Sequence, residues 1–236
     1  MKKNRVSVSV IVIGLFIGLL VMVGVLGVKD ISRIPQKEIG TDMYALEAEV
    51  REILGQECVA VSTDTGIGSG FLWLNEDKEL WVVTAGHLVS GSQHGELELW
   101  SGQKAEFSAK DVEVYPEIDL AVIKTDALKK KNVKAVFYEP DLQMQVGDTV
   151  WLLDSIYGPA SGIQSGAVYG VKVYLENYAK EMLLLSGKGT AGMSGCPIYD
   201  ENGRIVAMMS GMNEDGTILA AVPFEDMVKY LEDVKP

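Results

Sequence analysis

Three short stretches of this 236-residue chain carry residue types suited to nucleophilic chemistry. Ser194 lies in Gly189-Thr-Ala-Gly-Met-Ser-Gly-Cys-Pro197. A serine hydroxyl is a weak nucleophile at neutral pH and needs an adjacent base. Gly192 and Gly195 allow a tight turn in which backbone N–H groups converge, an arrangement suited to a developing oxyanion. Taken alone, Gly-x-Ser-Gly describes many plain loops. A base is scarce, because the chain has only two histidines. His94 sits in Ser90-Gly-Ser-Gln-His-Gly95, which reads as an exposed loop. His87 follows Trp81-Val-Val-Thr-Ala-Gly86, an apolar strand that ends in small residues. The third stretch is Tyr115-Pro-Glu-Ile-Asp-Leu-Ala-Val-Ile-Lys124, where Asp119 immediately precedes an apolar run. Such an acid is either a turn residue or a group that orients an imidazole. Asp111 and Asp126 are weaker candidates, since neither opens a strand in the same way.

The elements that must position these residues read as all-β. After Gly55, short runs rich in Val, Ile, Leu, Trp and Tyr alternate with Gly, Asp, Asn and Ser, a pattern of sandwiches and barrels. The first set of expected strands is 58–62, 69–74, 80–84, 96–100, 105–115 and 120–124. The second is 149–154, 164–175, 182–186, 197–199, 205–211 and 217–223. A linker around 126–147 joins the sets, and its charged run Lys129–Lys131 reads as a solvated face. Ahead of the strands, Leu46, Val50, Ile53 and Leu54 recur at helical spacing. Thr41 or Asp42 can cap that helix, which ends near Gly55. It packs on the domain or mediates an oligomer. A terminal helix is expected over 224–234.

The N-terminus differs in kind. Met1–Arg5 is short and basic, and Val6–Val28 then runs 23 residues without a charge. At 1.5 Å per residue this is long enough for a bilayer core of about 30 Å. It exceeds a usual secretory apolar segment, and Gly24, Gly27 and Val28 give only a weak cleavage signal. The expectation is an uncleaved single-pass anchor at 6–28 with a cytoplasmic tip at 1–5. The juxtamembrane segment is 29–55, and the domain at 56–236 is extracytoplasmic.

Composition limits the function classes. The formal net charge is −12. Four of the 21 basic residues precede Asp30 and no acid does, which leaves 17 basic against 33 acidic residues in the remainder. So acidic a surface repels phosphate and argues against nucleic acid as a partner. Two cysteines, Cys58 and Cys196, do not make a disulfide scaffold, and sequence separation cannot test whether they bridge. Gly66-x-Gly68-x-Gly70 looks like a phosphate loop but lacks the following helix. No metal cluster or cofactor loop is evident.

The three stretches resemble the catalytic blocks of trypsin-like serine proteases: Thr84-Ala-Gly-His87, Asp119-Leu-Ala-Val-Ile and Gly192-Met-Ser-Gly-Cys-Pro197, in the family's order. The closest likeness is to bacterial HtrA/DegP-type proteases. Ser69-Gly-Phe-Leu72, Asn202-Gly-Arg-Ile-Val-Ala207 and Leu219-Ala-Ala-Val-Pro223 add to it, and it covers roughly residues 56–233. The resemblance implies a double six-stranded β-barrel, with barrels about 56–126 and 147–223 and a cleft between them. It implies His87 as general base, Asp119 as its orienter and Ser194 as nucleophile. The oxyanion hole would be the N–H groups of Gly192 and Ser194. The strand Met208, Met209, Ser210, Gly211, Met212 would pair with an extended protein or peptide substrate. The chain departs from the family at three points. Cys196 replaces a second glycine. Lys188 and Thr190 offer no acidic base for the specificity pocket. No length remains for a PDZ domain. The rival expectation is a catalytically weak module that binds peptides or scaffolds a membrane complex. A thiol enzyme using Cys196 fits poorly, because Cys196 precedes Pro197 outside the nucleophile position.

Overall fold

A computed structural model describes residues 43–75, 78–124, 126, 128, 133–136 and 138–233. The expected cytoplasmic tip, anchor and residues 29–42 of the juxtamembrane segment lie outside these residues, as does the Lys129–Lys131 run. Among the described residues no helix is long and apolar enough to cross a membrane.

Helix α1 (Met43–Leu54) buries Leu46, Val50 and Leu54, which recur every fourth residue along one face. They join the same core cluster as Leu153 and Ala160, so this face packs on the domain. Seven strands then form one sheet: β1 (Cys58–Thr63), β2 (Ile67–Leu74), β3 (Leu80–Ala85), β4 (His94–Leu99), β5 (Lys104–Ser108), β6 (Val112–Tyr115) and β7 (Leu120–Ile123). A single helical turn, α2 (Gly86–Val89), follows β3. The sheet order is β5-β4-β1-β2-β3-β7-β6. Every residue of β3 and of β7 is buried, as their unbroken apolar runs require. β5 alternates instead, with Ala105 and Phe107 inward.

The expected first six-stranded barrel is thus a seven-stranded sheet, and the expected strand 105–115 is two strands. The cause is local. Ser108 N–H and Oγ both donate to Asp111 Oδ2 at 2.8 Å, closing a capping box around a 3-10 turn at Ala109–Asp111. The side chain takes the backbone donor that a continuous ladder would need. The expected barrel 147–223 does form. β8 (Thr149–Asp154), β9 (Gly162–Leu175), β10 (Lys180–Ser186), β11 (Pro197–Asp200), β12 (Ile205–Met212) and β13 (Ile218–Pro223) close in the order β10-β13-β12-β11-β8-β9.

Helix α3 (Phe224–Asp233) ends the described chain. Its first residue is its anchor: the Phe224 ring lies 5.3 Å from Trp73 and 6.0 Å from Phe71, both on β2, and 4.9 Å from Tyr138. Burying such a ring contributes about 1.5–3 kcal/mol. The helix therefore ties the barrel's last strand back to the sheet.

Candidate active site

Asp119 and His87 are brought together by strand register. β3 pairs antiparallel with β7, with Ala85 opposite Leu120, so the residues just past each strand end meet. Gly86 N–H donates to Asp119 O at 2.9 Å. A 3-10 turn at Pro116–Ile118 precedes Asp119, which takes left-handed backbone angles (φ 54°, ψ 42°). Aspartate tolerates this conformation better than most residues. The left-handed turn is where the carboxylate meets His87. It accepts His87 N–H at 2.9 Å through Oδ1. It also lies 3.0 Å (Oδ1) and 2.9 Å (Oδ2) from His87 Nδ1.

A carboxylate only accepts hydrogen bonds, so Nδ1 carries the ring proton and Nε2 of the neutral ring is left as an acceptor. Nε2 lies 2.9 Å from Ser194 Oγ. The hydrogen bond to Asp119 holds the His87 pKa above its ordinary value. Burial pushes Asp119 upward, but hydrogen bonds from the His87 ring, the Ser210 hydroxyl and His87 N–H outweigh it, and the net shift is downward. The carboxylate is therefore ionised at neutral pH, and the neighbouring imidazolium is favoured.

Ser194 is positioned differently. It lies in the loop between β10 and β11, with Gly192 at φ +94° and Gly195 at φ +84°. A Cβ on Gly195 would fall 2.0 Å from Ser69 O and 2.5 Å from Thr84 Oγ1, so only glycine fits there. Ser69, on β2, holds this loop. Its N–H donates to Ser194 O at 2.9 Å and its Oγ donates to Gly192 O at 3.1 Å. The same Oγ accepts Ser155 N–H at 2.8 Å, and Thr84 Oγ1 donates to Ser69 O at 2.6 Å. With these carbonyls engaged, neither Gly192 N–H nor Ser194 N–H has an acceptor among the described residues.

The structure separates these residues from their rivals. Asp111 is spent on its capping box and Asp126 is exposed. His94 is exposed as expected but opens β4 rather than lying in a loop. The expected substrate strand divides in two. Met208 and Met209 are buried, and their outer side is taken, because Met208 pairs with Pro197 and Met209 bonds to Gly195 and Cys196. Past Met209 no ladder to β11 remains, while β13 still pairs with Gly211 and Met212. A free edge therefore starts at Ser210, not Met208.

Two roles were missed from the sequence. Ser210, expected only as a substrate contact, donates its hydroxyl to Asp119 Oδ2. Ser69 carried only a family likeness, and nothing in its neighbours signals a contact 123 positions away. Lys188 is held through its backbone by Gln164, at 2.9 Å in each direction. Cys58 and Cys196 are free, buried thiols whose pKa values burial pushes up, so neither suits a thiolate nucleophile.

Residues 68–208 match the sequence model of the trypsin-like peptidase domain, and the chain belongs to that family. Similar proteins within it include ones of the HtrA and DegP type. A probable periplasmic serine endoprotease, DegP-like, of Brucella suis biovar 1 is 32% identical over 143 residues, 60% of this chain and 26% of that protein. The chain thus spans about a quarter of that curated relative. A crystal structure of the serine endoprotease from Yersinia pestis superposes with TM-score 0.65 at 18% identity, over 83% of this chain and 68% of that one. The HtrA-type protease AlgW with tripeptide superposes with TM-score 0.64 at 17% identity, over 79% and 64%. Those two likenesses concern the fold.

Proposed function

We propose that this chain is a serine endopeptidase cutting peptide bonds through His87, Asp119 and Ser194, with residues 56–236 as the protease domain. The observation that carries the reading is the unbroken relay from Asp119 to His87 Nδ1 and from Nε2 to Ser194 Oγ at 2.9 Å. Ser194 Oγ attacks the scissile carbonyl carbon as its proton passes to His87 Nε2. The carbonyl oxygen becomes an oxyanion, received by the free N–H groups of Gly192 and Ser194. His87 then gives its proton to the leaving amine as the C–N bond breaks, which leaves an acyl-enzyme. Water, deprotonated by the same imidazole, releases the acid and restores Ser194. Asp119, steadied by Ser210, keeps the proton on Nδ1 and stabilises the imidazolium throughout.

An extended peptide adds as a strand along the edge Ser210–Met212. The HtrA-type protease AlgW with tripeptide is consistent with such an occupant. The uncharged run 6–28 anchors the chain in the cell membrane as a single pass, with the domain extracytoplasmic. The description of the Brucella relative as periplasmic agrees with that side.

A fluorophosphonate probe tests the chemistry. The parent should be labelled at Ser194, and Ser194→Ala should not be. A folded parent that resists the probe would transfer the assignment to a peptide-binding module. Accessibility of the domain to external protease in intact cells tests the topology. Protection there would place the domain on the cytoplasmic side.

A further inference from the structure

Residues 187–193 join β10 to Ser194 and belong to no helix or strand. One edge of this segment hangs on the β12–β13 hairpin: Gly187 N–H donates to Thr217 O at 3.2 Å and Gly189 N–H to Gly216 O at 2.7 Å. Lys188, between them, is held by a side chain instead. Gln164 of β9 accepts Lys188 N–H through Oε1 and donates to Lys188 O through Nε2, at 2.9 Å each. One carboxamide thus makes the pair of bonds that a residue on a neighbouring antiparallel strand would make.

The same Nε2 lies 4.0 Å from Met193 Sδ, and that sulfur accepts Thr190 N–H at 3.3 Å. Met193 is buried, and its own N–H turns back to Thr190 O at 3.3 Å. In sequence it stands between Gly192 and Ser194, whose N–H groups are free. Of these three successive N–H groups, only the middle one is spent inside the loop. Gln164 therefore reaches the residue that separates the two oxyanion donors, as well as the backbone leading up to it. Ser69 grips the far side of the same turn through the carbonyls of Gly192 and Ser194. One clamp comes from the sheet and the other from the barrel.

We propose that Gln164 is a positioning residue of the oxyanion site: by gripping Lys188 in both directions and seating the Met193 thioether, its carboxamide fixes the turn that aims Gly192 N–H and Ser194 N–H at the carbonyl oxygen. This rests on the reading of Ser194 as nucleophile and of those two N–H groups as oxyanion donors. Lys188 is exposed, so water can satisfy its backbone groups if the carboxamide is lost. Water cannot tie them to β9. Loss of Gln164 should therefore cost alignment more than stability. Negative charge develops on the carbonyl oxygen only as the bond is attacked, so misaimed donors weaken the transition state and spare peptide binding along Ser210–Met212.

The test is Gln164→Met in the full-length chain in detergent solution. Methionine has similar length, but its thioether donates nothing and accepts only weakly. On a peptide substrate kcat should fall by about 10–100-fold with KM little changed. A peptide boronic acid, whose tetrahedral adduct with Ser194 sets an oxygen in the oxyanion site, should bind more weakly by the factor lost in kcat/KM. The His87 midpoint, followed by NMR with His94→Gln to leave one histidine signal, should not move. Undiminished kcat in folded Gln164→Met overturns the proposal. So does a loss carried wholly by KM, an unchanged boronate affinity, or a shifted His87 midpoint. Should the methionine variant not fold, Gln164→Glu keeps the acceptor for Lys188 N–H and, while ionised, loses the donor to Lys188 O. It should show the same paired loss of kcat and boronate affinity, and parent-like values overturn the proposal equally. Failure of the fluorophosphonate probe on the parent would sink the protease reading. A labelled parent whose Gln164 variants keep their kcat and boronate affinity would sink only the role of Gln164.

Discussion

The sheet and the barrel place their functional groups by different means. His87 and Asp119 sit just past the paired ends of β3 and β7, so ladder register sets their separation. Both strands are buried on both faces, so a register slip would disrupt core packing on each side. Ser194 has no such ladder. It rides a loop with two left-handed glycines, held by the backbone and hydroxyl of Ser69 on the sheet. The His87–Asp119 pair is thus secured by the core, and Ser194 by a few polar contacts between the two halves. Damage to the first arrangement should cost chemistry or the whole fold. Damage to the second should cost alignment of Ser194 while His87 and Asp119 stay in place.

The largest effect should come from Asp119→Asn, which keeps the shape but reverses the hydrogen-bond logic. An amide nitrogen facing Nδ1 favours the ring proton on Nε2, where it cannot accept from Ser194. A fall in kcat/KM of about 10⁴-fold is expected, with the melting temperature little changed. Steady-state kinetics on a peptide substrate would show it, and undiminished turnover would remove Asp119 from the relay.

Gly195→Ala should act on the other half. The added Cβ meets Ser69 O at 2.0 Å in a backbone conformation of φ +84°. A loss of about 3 kcal/mol of stability is expected, read from denaturant midpoints. If the variant is as stable as the parent, the Ser194 loop is more pliable than its contacts suggest.

Ser69→Ala separates the two halves most directly. It removes the donor to Gly192 O and leaves buried Ser155 N–H without its 2.8 Å acceptor. A stability loss of about 1–3 kcal/mol follows from the unsatisfied group. The Gly192 peptide is freed at the same time, and kcat should fall by about 10–100-fold if its N–H serves the oxyanion. The His87 titration should not move, since Ser69 touches neither ring nor carboxylate. A shift in that titration would show that the halves are coupled more tightly than register against loop implies.

Much of this contrast was legible in the sequence, though unevenly. His87 stood out because only one other histidine exists, and Ser194 because glycines flank it. Strand periods gave most elements within two residues of their ends. The sheet's open order was not legible, because closure depends on whether β5 and β6 meet, and one capping contact between Ser108 and Asp111 separates them. Ser69 was legible only as part of a likeness. A hydroxyl that crosses between the two halves of a fold leaves no periodic trace. The split of 208–212 into a buried and a free part was likewise hidden, because no local residue pattern marks that the ladder partners end at Pro197.

The smallest effect tests whether the secured pair behaves as one electrostatic unit. The Asp119 hydrogen bond raises the His87 pKa above the ordinary value of about 6.5. A group whose folded pKa is raised stabilises the fold fully below its unfolded pKa, and that contribution fades as pH climbs through the folded pKa. The proposed general base works in the opposite state, with His87 neutral. Between about pH 6.5 and the folded value, turnover should therefore rise while stability declines. Because the His87 side chain is half exposed, solvent screening keeps the decline modest. Melting temperatures of Ser194→Ala with His94→Gln, scanned over this window, would reveal it free of self-cleavage. Adding Asp119→Asn should flatten the slope. A slope that persists without Asp119 would place its origin outside the pair and break the assignment of that pH dependence to the register-held half.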